Sequence, residues 1–455
     1  MYQFWNRFLS ITFFVLLTVV ANAQTTSDNN TPKDNSPFSR IGLGDFSGQN
    51  FIHLRTMGGL GNTYHDKYMS NPVNPASYAY LKAATLEGGI FGQYGKLQDR
   101  NVTHKVWTGN INYLSLSFPM KNPLNTLIDK VQPKYDWGMG ISLTPFTTVG
   151  YNVFKDSEYA GDDDITNIKD NLNGRGGTYK LNWGNGVKYK DFSLGINLGR
   201  IFGKIINEKT LTVKDTSNLD VFRNSLLDEI SVKGFTWNVG FMYEYKFKSM
   251  QDGTMLPNGK SITFGLTANS KNNIKTNSTH FYRRISSRYA GVIDTIRNET
   301  DVEGTATLPS TFGFGITYMQ KNKWRLGLDY TMNKWSQYTN TAKPETLTDG
   351  FTIGFGGEYI PNFSSYNAYW QKVKYRFGAF YQKDPRNINE SLTTKAITFG
   401  VGLPVIMKRQ KTSFINLGFE IGQFGVPDDL NKTYFMVSFG YAFNDNTWFY
   451  KRKFN

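Results

Sequence analysis

An unbroken two-residue alternation, FTWNVGFMYEYKF at 235–247, constrains the fold more than any other stretch of this sequence. Every odd position is apolar or aromatic, whereas the even positions carry threonine, asparagine, glycine, methionine, glutamate and lysine. Successive side chains of a strand point to opposite faces, so the pattern predicts a β-strand with one apolar and one mostly polar face. Such a strand suits a secreted sandwich as well as a membrane barrel, and the rest of the chain must decide.

Residues 1–23 have the form of a secretory signal peptide. Arg7 precedes the apolar run 8–20, and a small-residue Ala-Asn-Ala sequence ends at Ala23. An apolar run of 13 residues is short for a membrane span and suits the core of a cleaved signal. Gln24 is not a cysteine, which excludes lipid attachment at the cleavage site. We therefore expect the mature chain to leave the cytoplasm.

The amino-acid composition further narrows the class of protein to which this chain can belong. Aromatic residues make up 16% of the chain, yet its mean hydropathy is −0.44 and it has no cysteine. No other segment is a long apolar run, which excludes a helical membrane protein, and the lack of cysteine excludes a disulfide scaffold. A polar average together with many aromatic residues favours a transmembrane β-barrel, in which a lipid face and a lumen face cancel in the mean. The alternative is a large secreted all-β protein.

About fourteen alternating segments can be placed between residues 84 and 443. The clearest lie at 137–143, 192–198, 262–268, 312–318, 324–330, 397–403, 415–421 and 435–443. Glycine recurs on their non-aromatic face, at Gly138, Gly195, Gly265, Gly315, Gly327, Gly400 and Gly440. We interpret these glycines as lumen-side positions where something packs closely on the wall.

The connections between these segments alternate in length. Short ones occur at 190–191, 320–323 and 408–411, and most of the intervening ones are long, at 154–176, 205–230, 271–307 and 335–348. Short periplasmic turns and long extracellular loops are typical of outer-membrane barrels. The sequence therefore predicts an all-β, antiparallel transmembrane barrel of about fourteen strands, integral to a bacterial outer membrane.

Two motifs lie just ahead of the first strand, MGGLG at Met57–Gly61 and NPAS at Asn74–Ser77. Looser ones are Leu308-Pro309, DYT…W from Asp329 to Trp335, and the ending NDNTWFYKRKF. With these features the chain resembles the FadL/TodX-type family of outer-membrane transporters for hydrophobic compounds. The resemblance implies a fourteen-stranded barrel with an N-terminal hatch in its lumen.

Together, pattern and resemblance divide the chain into four parts. They are a signal peptide at 1–23, an N-terminal segment and hatch at 24–83, the barrel at 84–443, and a basic and aromatic tail at 444–455. The first mature residues, 24–36, are too polar to pack in a core, and we expect them to be mobile.

The resemblance also implies where a ligand and a wall opening would lie. Candidate ligand or hatch residues are Arg55, Met57, Tyr64, Tyr68, Asn74, Pro75 and Ala76. Arg55, Tyr64 and Tyr68 fit a packing role equally well. In this family a kinked third strand opens the wall toward lipid, and Pro145 lies in the third predicted strand, where proline removes a ladder donor. A strand end or tight turn at Pro145 fits equally.

Catalytic and metal chemistry find little support. The four histidines show no metal-ligand spacing, and no nucleophile elbow or H-E-x-x-H motif occurs. We predict no enzyme, no catalytic residue, no metal site and no cofactor. The acidic stretch 161–164 could hold calcium, but it lacks the EF-hand pattern, which favours a solvated loop.

The net charge is +15, and +14 once Arg7 leaves with the signal peptide. In an exported chain the matching anions are lipopolysaccharide phosphates rather than nucleic acid. Loop residues such as Arg283, Arg284 and Arg288 would meet them, and the basic tail would face the periplasm. We therefore expect outer-membrane lipid and lipopolysaccharide as surroundings, and no nucleic-acid partner.

Two functions are consistent with these features. The first, favoured by analogy with the resembled family, is a passive channel that binds a hydrophobic or amphipathic small molecule and releases it when the hatch shifts. The second is a plugged, non-transporting barrel that docks other envelope proteins through its long extracellular loops, as a subunit of a secretion or outer-membrane assembly machine. The sequence names neither the substrate nor the partner proteins nor the oligomeric state.

Overall fold

The computed structural model describes eleven stretches of the chain, and every structural statement below concerns them. They are residues 36–48, 51–99, 102–121, 134–160, 165–214, 222–251, 254–286, 293–388, 390–407, 411–426 and 430–445. The predicted signal peptide, residues 24–35 of the stretch expected to be mobile, the acidic stretch 161–164, Arg288 and the tail after Asp445 lie outside them. Ser36, the last residue of the stretch expected to be mobile, is described and buried.

Eighteen strands of the described chain join in one sheet, and every pairing is antiparallel. In chain order they are β1 (Asp45–Phe46), β2 (Ala84–Asp99), β3 (Val102–Pro119), β4 (Asp136–Ala160), β5 (Ile165–Tyr189), β6 (Phe192–Lys214), β7 (Phe222–Gln251), β8 (Thr254–Asn269), β9 (Asn272–Ser286), β10 (Ile293–Leu308), β11 (Thr311–Gln320), β12 (Trp324–Asn333), β13 (Thr339–Asn340), β14 (Gly350–Tyr359), β15 (Lys374–Ile388), β16 (Glu390–Met407), β17 (Lys411–Gly425) and β18 (Asn431–Asp445).

Helices are few and short in the described residues. They are α1 (Ile52–Arg55) and the 3-10 helices Pro37–Arg40, Pro75–Tyr80, Trp335–Gln337 and Tyr369–Lys372. None of them has the length and apolar character needed to cross a membrane.

Fourteen of the strands close into a barrel, which confirms the predicted fold class. β8 pairs directly with β11, so the β9–β10 hairpin lies outside the wall, as do β1 and β13. The last strand returns to the first, with β18 paired to β2 from Asn431↔Gln98 to Asp445↔Ala84. The wall follows from the alternation in the sequence: Phe235 and Trp237 are 73% and 41% exposed, while the intervening Thr236 is buried.

Three predicted loops are wrong, because most of 154–176, 205–230 and 271–307 is strand. β4, β5, β6 and β7 have 25, 25, 23 and 30 residues, whereas about 9–11 residues cross a bilayer. Beyond the bilayer both faces of a strand meet water, so the ladder continues while the apolar alternation that marks a strand disappears. The upper half of β7, 222–233, pairs with β9 and extends this sheet outward.

Candidate functional site: the barrel lumen

The N-terminal segment 51–83, called here the inner segment, packs against the glycine-bearing face of the wall. Several residues of the inner segment each lie against one or more wall glycines. In chain order the pairs include Ile52 with Gly89 and Gly440; Thr56 with Gly400 and Gly418; Met57 with Gly356 and Gly378; Leu60 with Gly327; Asn62 with Gly265 and Gly315; Pro75 with Gly195 and Gly240; and Tyr78 with Gly138 and Gly140. A Cβ added at Gly240 would lie 2.7 Å from Cδ of Pro75, well inside van der Waals contact. This confirms that the glycines mark close packing on the wall.

These contacts place the inner segment inside the barrel. They reach β2, β4 to β8, β11, β12 and β14 to β18, and stacking of Phe51 on Tyr113 adds β3. All lie on the face opposite the exposed aromatic side chains. The segment therefore crosses the lumen, although its action as a movable hatch stays a prediction.

Polar groups hold the inner segment in register. Asp329 Oδ2 accepts hydrogen bonds from the backbone N–H groups of Gly61 and Asn62, both at 2.7 Å. Asn74 Nδ2 donates to the carbonyl oxygens of Asn62 at 2.6 Å and Phe241 at 3.2 Å. The Asn74 Oδ1 atom accepts from the N–H of Ala76 at 3.1 Å and so caps the short helix that begins at Pro75. The NPAS motif is thus a capped helix start pinned to the wall.

Two cavities flank the inner segment, and only two of the seven candidate residues that precede the wall line either of them. Arg55 lines the cavity nearer the long-strand end, called here the upper cavity, and Tyr68 lines the one nearer the short turns, the lower cavity. Met57, Tyr64, Asn74, Pro75 and Ala76 are buried packing residues. A ligand-binding role for any of them stays a prediction.

Arg55 forms a two-pronged ion pair with Glu420 on β17. Its Nε lies 2.6 Å from Oε2, and its Nη2 lies 3.0 Å from Oε1. Tyr434 also donates its hydroxyl to Glu420 Oε1 at 2.7 Å. Both acceptor oxygens are therefore engaged, so Arg55 acts in this structure as an anchor between the inner segment and the wall.

The upper cavity has a volume of about 600 Å³, within the usual range for small-molecule pockets. Apolar side chains such as Phe46, Phe51 and Phe146 form part of its lining. Its strand residues are mainly polar, including Thr144, Lys180, Asn182, Thr236, Asn238, Thr267, Thr331 and Thr352. This lining is more polar than that of a typical pocket for apolar ligands.

The pairing between β3 and β4 stops beside the upper cavity. In the described residues the two strands pair only from Leu114↔Leu143 to Pro119↔Gly138. β4 continues to Ala160, so the strand-end interpretation of Pro145 is wrong, and a bulge against β5 falls between Pro145 and Thr147. β3 therefore loses its pairing with β4 close to Pro145, as a kinked third strand requires, while it stays paired with β2. A lateral opening there, and passage of a ligand through it, stay predictions.

Residues 36–48, called here the strap, pair with β4 beyond the point where its pairing with β3 stops. Within the strap, β1 pairs with Thr147 and Thr148 of β4. Ser36 N–H donates to the Gly150 carbonyl at 2.8 Å. Sequence patterns gave no sign of the strap, because a two-residue strand carries no measurable period.

Arg386 of β15 ties the strap to the opposite side of the wall. Its side chain is 2% exposed, donates to the Phe38 carbonyl at 3.1 Å and forms ion pairs with Asp45 and Asp384. Trp335, whose ring centroid lies 4.3 Å from that of Phe46, packs on the strap as well. The strap is therefore held by both charge and aromatic contacts.

The lower cavity, of about 530 Å³, is highly charged. Lys374 Nζ lies 2.8 Å from Asp66, and Lys188 Nζ lies 3.1 Å from Glu244. Burial alone would raise the pKa of Asp66, but the charges of Lys374 and Arg325 hold it below its ordinary value. Burial also lowers the pKa of His65 to about 4. An ionised Asp66 and a neutral His65 are therefore the expected states at neutral pH.

Sequence reasoning missed the charged wall residues that meet the inner segment. Asp329, Glu420 and Arg376 are all buried. Arg376 donates to Glu358 at 2.8 Å and to the amide oxygen of Asn416 at 2.7 Å. The available signal was a charged residue on the polar face of a membrane strand, which is costly unless it is paired.

Comparison with protein families shows that a family model described as BamG matches residues 7–455, nearly the whole chain. Comparison with curated proteins gives no match.

Solved barrels of low sequence identity share the fold. A FadL homologue from Pseudomonas aeruginosa has a TM-score of 0.52 at 12% identity, covering 89% of this chain and 99% of that one. The CymD monoaromatic hydrocarbon channel has a TM-score of 0.50 at 14% identity, covering 88% and 98%. The toluene transporter TodX of P. putida has a TM-score of 0.50 at 13% identity, covering 88% and 99%. The FadL-like resemblance is thus confirmed at the level of the fold.

Proposed function

This chain belongs to the BamG family, and from that premise we propose that it is a plugged, non-transporting barrel of the bacterial outer membrane that serves as a subunit of a protein complex. The proposed complex is a protein secretion or outer-membrane assembly machine. The observation that carries the proposal is the inner segment, which crosses the lumen and is fastened to the wall around its circumference.

The fastening favours a fixed plug over a movable one. Asp329 and Glu420 of the wall each hold the inner segment by two hydrogen bonds. Asn74 of the inner segment donates to the wall carbonyls of Phe241 and Leu266, and the glycine contacts leave little space for the segment to shift. Each hydrogen bond to a charged group contributes about 1.5–3 kcal/mol. A segment held at several such points has a high cost of release, which argues against repeated opening.

The long strands support a docking role. β4 to β7 exceed the length needed to cross a bilayer by more than ten residues each, and with β9 and β10 they form a sheet beyond the membrane. A channel has no need of so large a structured projection. A subunit that contacts other envelope proteins can use it as a surface.

Two measurements test the proposal. After gentle extraction from its own membrane through an affinity tag, native mass spectrometry should detect a stoichiometric protein partner. In planar bilayers the intact barrel should be closed, while deletion of residues 51–83 should produce conductance. A lone barrel that carries a retained apolar molecule, or steady conductance from the intact chain, would contradict the proposal.

The second candidate is a passive channel for hydrophobic or amphipathic molecules, as the names of CymD and TodX suggest for those proteins. The specific support is the end of β3–β4 pairing at Leu143, because the nearby Pro145 and Phe146 also line the upper cavity and a lateral opening at this point would connect the cavity with lipid. Deleting the gene should then slow uptake of some aromatic or long-chain compound. Unchanged uptake across a broad panel of such compounds would argue against a channel.

A further inference from the structure

The lower cavity holds more positive charge than its own carboxylates balance. Its lining has nine lysine and arginine residues but four acidic ones. Every one of these acids already has a basic partner: Asp66 pairs with Lys374, Asp136 with Lys82, Glu244 with Lys188 and Lys246, and Glu358 with Arg376. No described carboxylate forms an ion pair with the lining residues Lys67, Lys260, Lys321, Lys323 and Arg325.

Arg325 shows that the excess is built into the cavity wall rather than confined to its rim. The residue is 7% exposed, and its Nη2 donates to the His65 carbonyl at 2.8 Å. Its guanidinium lies 4.2 Å from the ring centroid of Tyr64. No described residue forms a hydrogen bond with its buried Nη1 atom. A buried guanidinium nitrogen without an acceptor is costly, so an anionic group from outside the chain would stabilise it.

The lysines around Arg325 come from separate elements. Lys67 belongs to the inner segment, Lys260 to β8, and Lys321 and Lys323 to the turn between β11 and β12. Burial lowers the pKa of Lys67, and repulsion from Lys321 lowers it further against the opposing charge of Asp66. Because these basic groups come from three separate elements, a ligand with several carboxylates matches more of them than a single carboxylate does.

Apolar groups lie at the mouth of the same cavity. Phe363, which is 47% exposed, and the half-buried Tyr68 line it. Aromatic residues beside cationic ones are typical of protein interfaces, where they serve as anchoring contacts. The ligand that matches both features carries carboxylates on an apolar body.

We propose that the lower cavity binds an acidic, extended segment of a partner protein, with one carboxylate on Arg325 and further carboxylates on the lysines of the mouth. This inference rests on the proposed function as a complex subunit, and names the chemistry of the partner. Because the cavity opens at the short-turn end, the partner lies on the periplasmic side if the long strands project outward.

The direct test uses the detergent-purified full-length barrel and a fluorescein-labelled peptide rich in glutamate and phenylalanine, followed by anisotropy. Binding should weaken as salt is added, and by about tenfold or more when glutamine replaces glutamate. Lys67→Gln combined with Lys321→Gln should weaken it by about tenfold or more, without disturbing the buried network. The matched control combines Lys96→Gln with Lys105→Gln, which removes two exposed lysines from β2 and β3 and should leave binding unchanged.

Two results would overturn the inference. One is equal peptide binding by the Lys67/Lys321 variant and the native chain. The other is displacement of the peptide by glycerophosphate as effectively as by unlabelled peptide, which would assign the cavity to lipid head groups.

Native mass spectrometry separates this inference from the proposed function. A protein partner that survives in the Lys67/Lys321 variant would overturn the docking site but leave the subunit role intact. Peptide binding by a chain that purifies without any partner would support the acid-binding cavity and contradict the subunit role.

Discussion

Replacing Gly240 by alanine should loosen the inner segment while leaving the barrel closed. The added Cβ would lie 2.7 Å from Cδ of Pro75 and would also collide with the Asn74 side chain. The inner segment would have to move away by several tenths of an ångström, because carbon atoms need roughly 3.5 Å. Overpacking of this kind costs about 1–3 kcal/mol.

The displacement also disturbs the hydrogen bonds of Asn74. Its amide donates at 2.6 Å to Asn62 and at 3.2 Å to Phe241, and each lost bond costs about 0.5–1.5 kcal/mol. The total destabilisation of the docked inner segment is therefore about 2–6 kcal/mol. Since 1.4 kcal/mol is a factor of ten, amide hydrogen exchange in 51–83 should accelerate about thirtyfold or more.

The matched control is Gly92→Ala in β2, where an added Cβ meets no atom within 4 Å. Hydrogen exchange measured by mass spectrometry should show faster exchange in the inner segment of the Gly240 variant, and native rates in the Gly92 variant. Heat-modifiable migration on gels would verify that both barrels are closed. Native exchange rates in a folded Gly240 variant would refute the view that the wall glycines hold the inner segment.

Other perturbations separate the remaining contacts. Arg55→Met should lower the free energy of unfolding in urea by about 1–3 kcal/mol, because the buried Glu420 carboxylate loses its two-pronged ion-pair partner. An unchanged urea midpoint would mean that the ion pair makes no net contribution to stability. Arg386→Leu should release the strap to protease while the inner segment stays protected, since this arginine holds Phe38 and Asp45 but no part of 51–83; joint release would show that the two act as one unit. Replacing 270–310 by a short turn should leave a closed barrel by heat-modifiable migration, because β8 already pairs with β11; failure to fold would show that the hairpin is needed for the wall. Burial, aided by the charge of Arg376, lowers the pKa of His53 from 6.5 to about 3. Between these two pH values His53 is therefore protonated in the unfolded chain but neutral in the folded chain. His53 alone should therefore contribute a loss of stability of up to about 1.4 kcal/mol per pH unit as the pH falls below 6.5. Urea midpoints of the native chain should then fall more steeply from pH 7 to pH 4 than those of His53→Gln; equal slopes would contradict the buried neutral state.

The strands of the barrel wall were predictable because each one has a lipid-facing and a lumen-facing side, and this requires alternating apolar and polar residues. Lipid outside and a packed lumen inside force alternation, and Phe235 to Phe247 displays it without interruption. The glycines were predictable for the same reason, since a small residue on the inner face has meaning only where something approaches closely. In the outer halves of β4 to β7 water contacts both faces of the strand, so the sequence shows no apolar–polar alternation. These strand residues were therefore predicted to be loops.

The site was less predictable, because it depends on pairs that are remote in sequence. Asp329 meets Gly61, and Glu420 meets Arg55, across hundreds of residues that no local pattern connects. The NPAS motif pointed to the right segment, yet its residues turned out to cap and pack rather than line a cavity. Arg325 and Lys67 carried no sequence signal at all, since a lysine or arginine near a strand end is ordinary in a barrel.

The contact of Ile52 with Gly89 and Gly440 bears on the order in which the protein is assembled. These glycines face each other where β2 meets β18, so the inner segment touches both the first and the last strand of the wall at the seam that completes the ring. A ring that closes first would leave this segment to thread into an already narrow interior. We therefore expect the inner segment, which is synthesised before the wall strands, to act as a template on which those strands pair before the barrel closes. Barrels refolded without 51–83 should then close more slowly than the intact chain, even when that segment is added afterwards as a separate peptide.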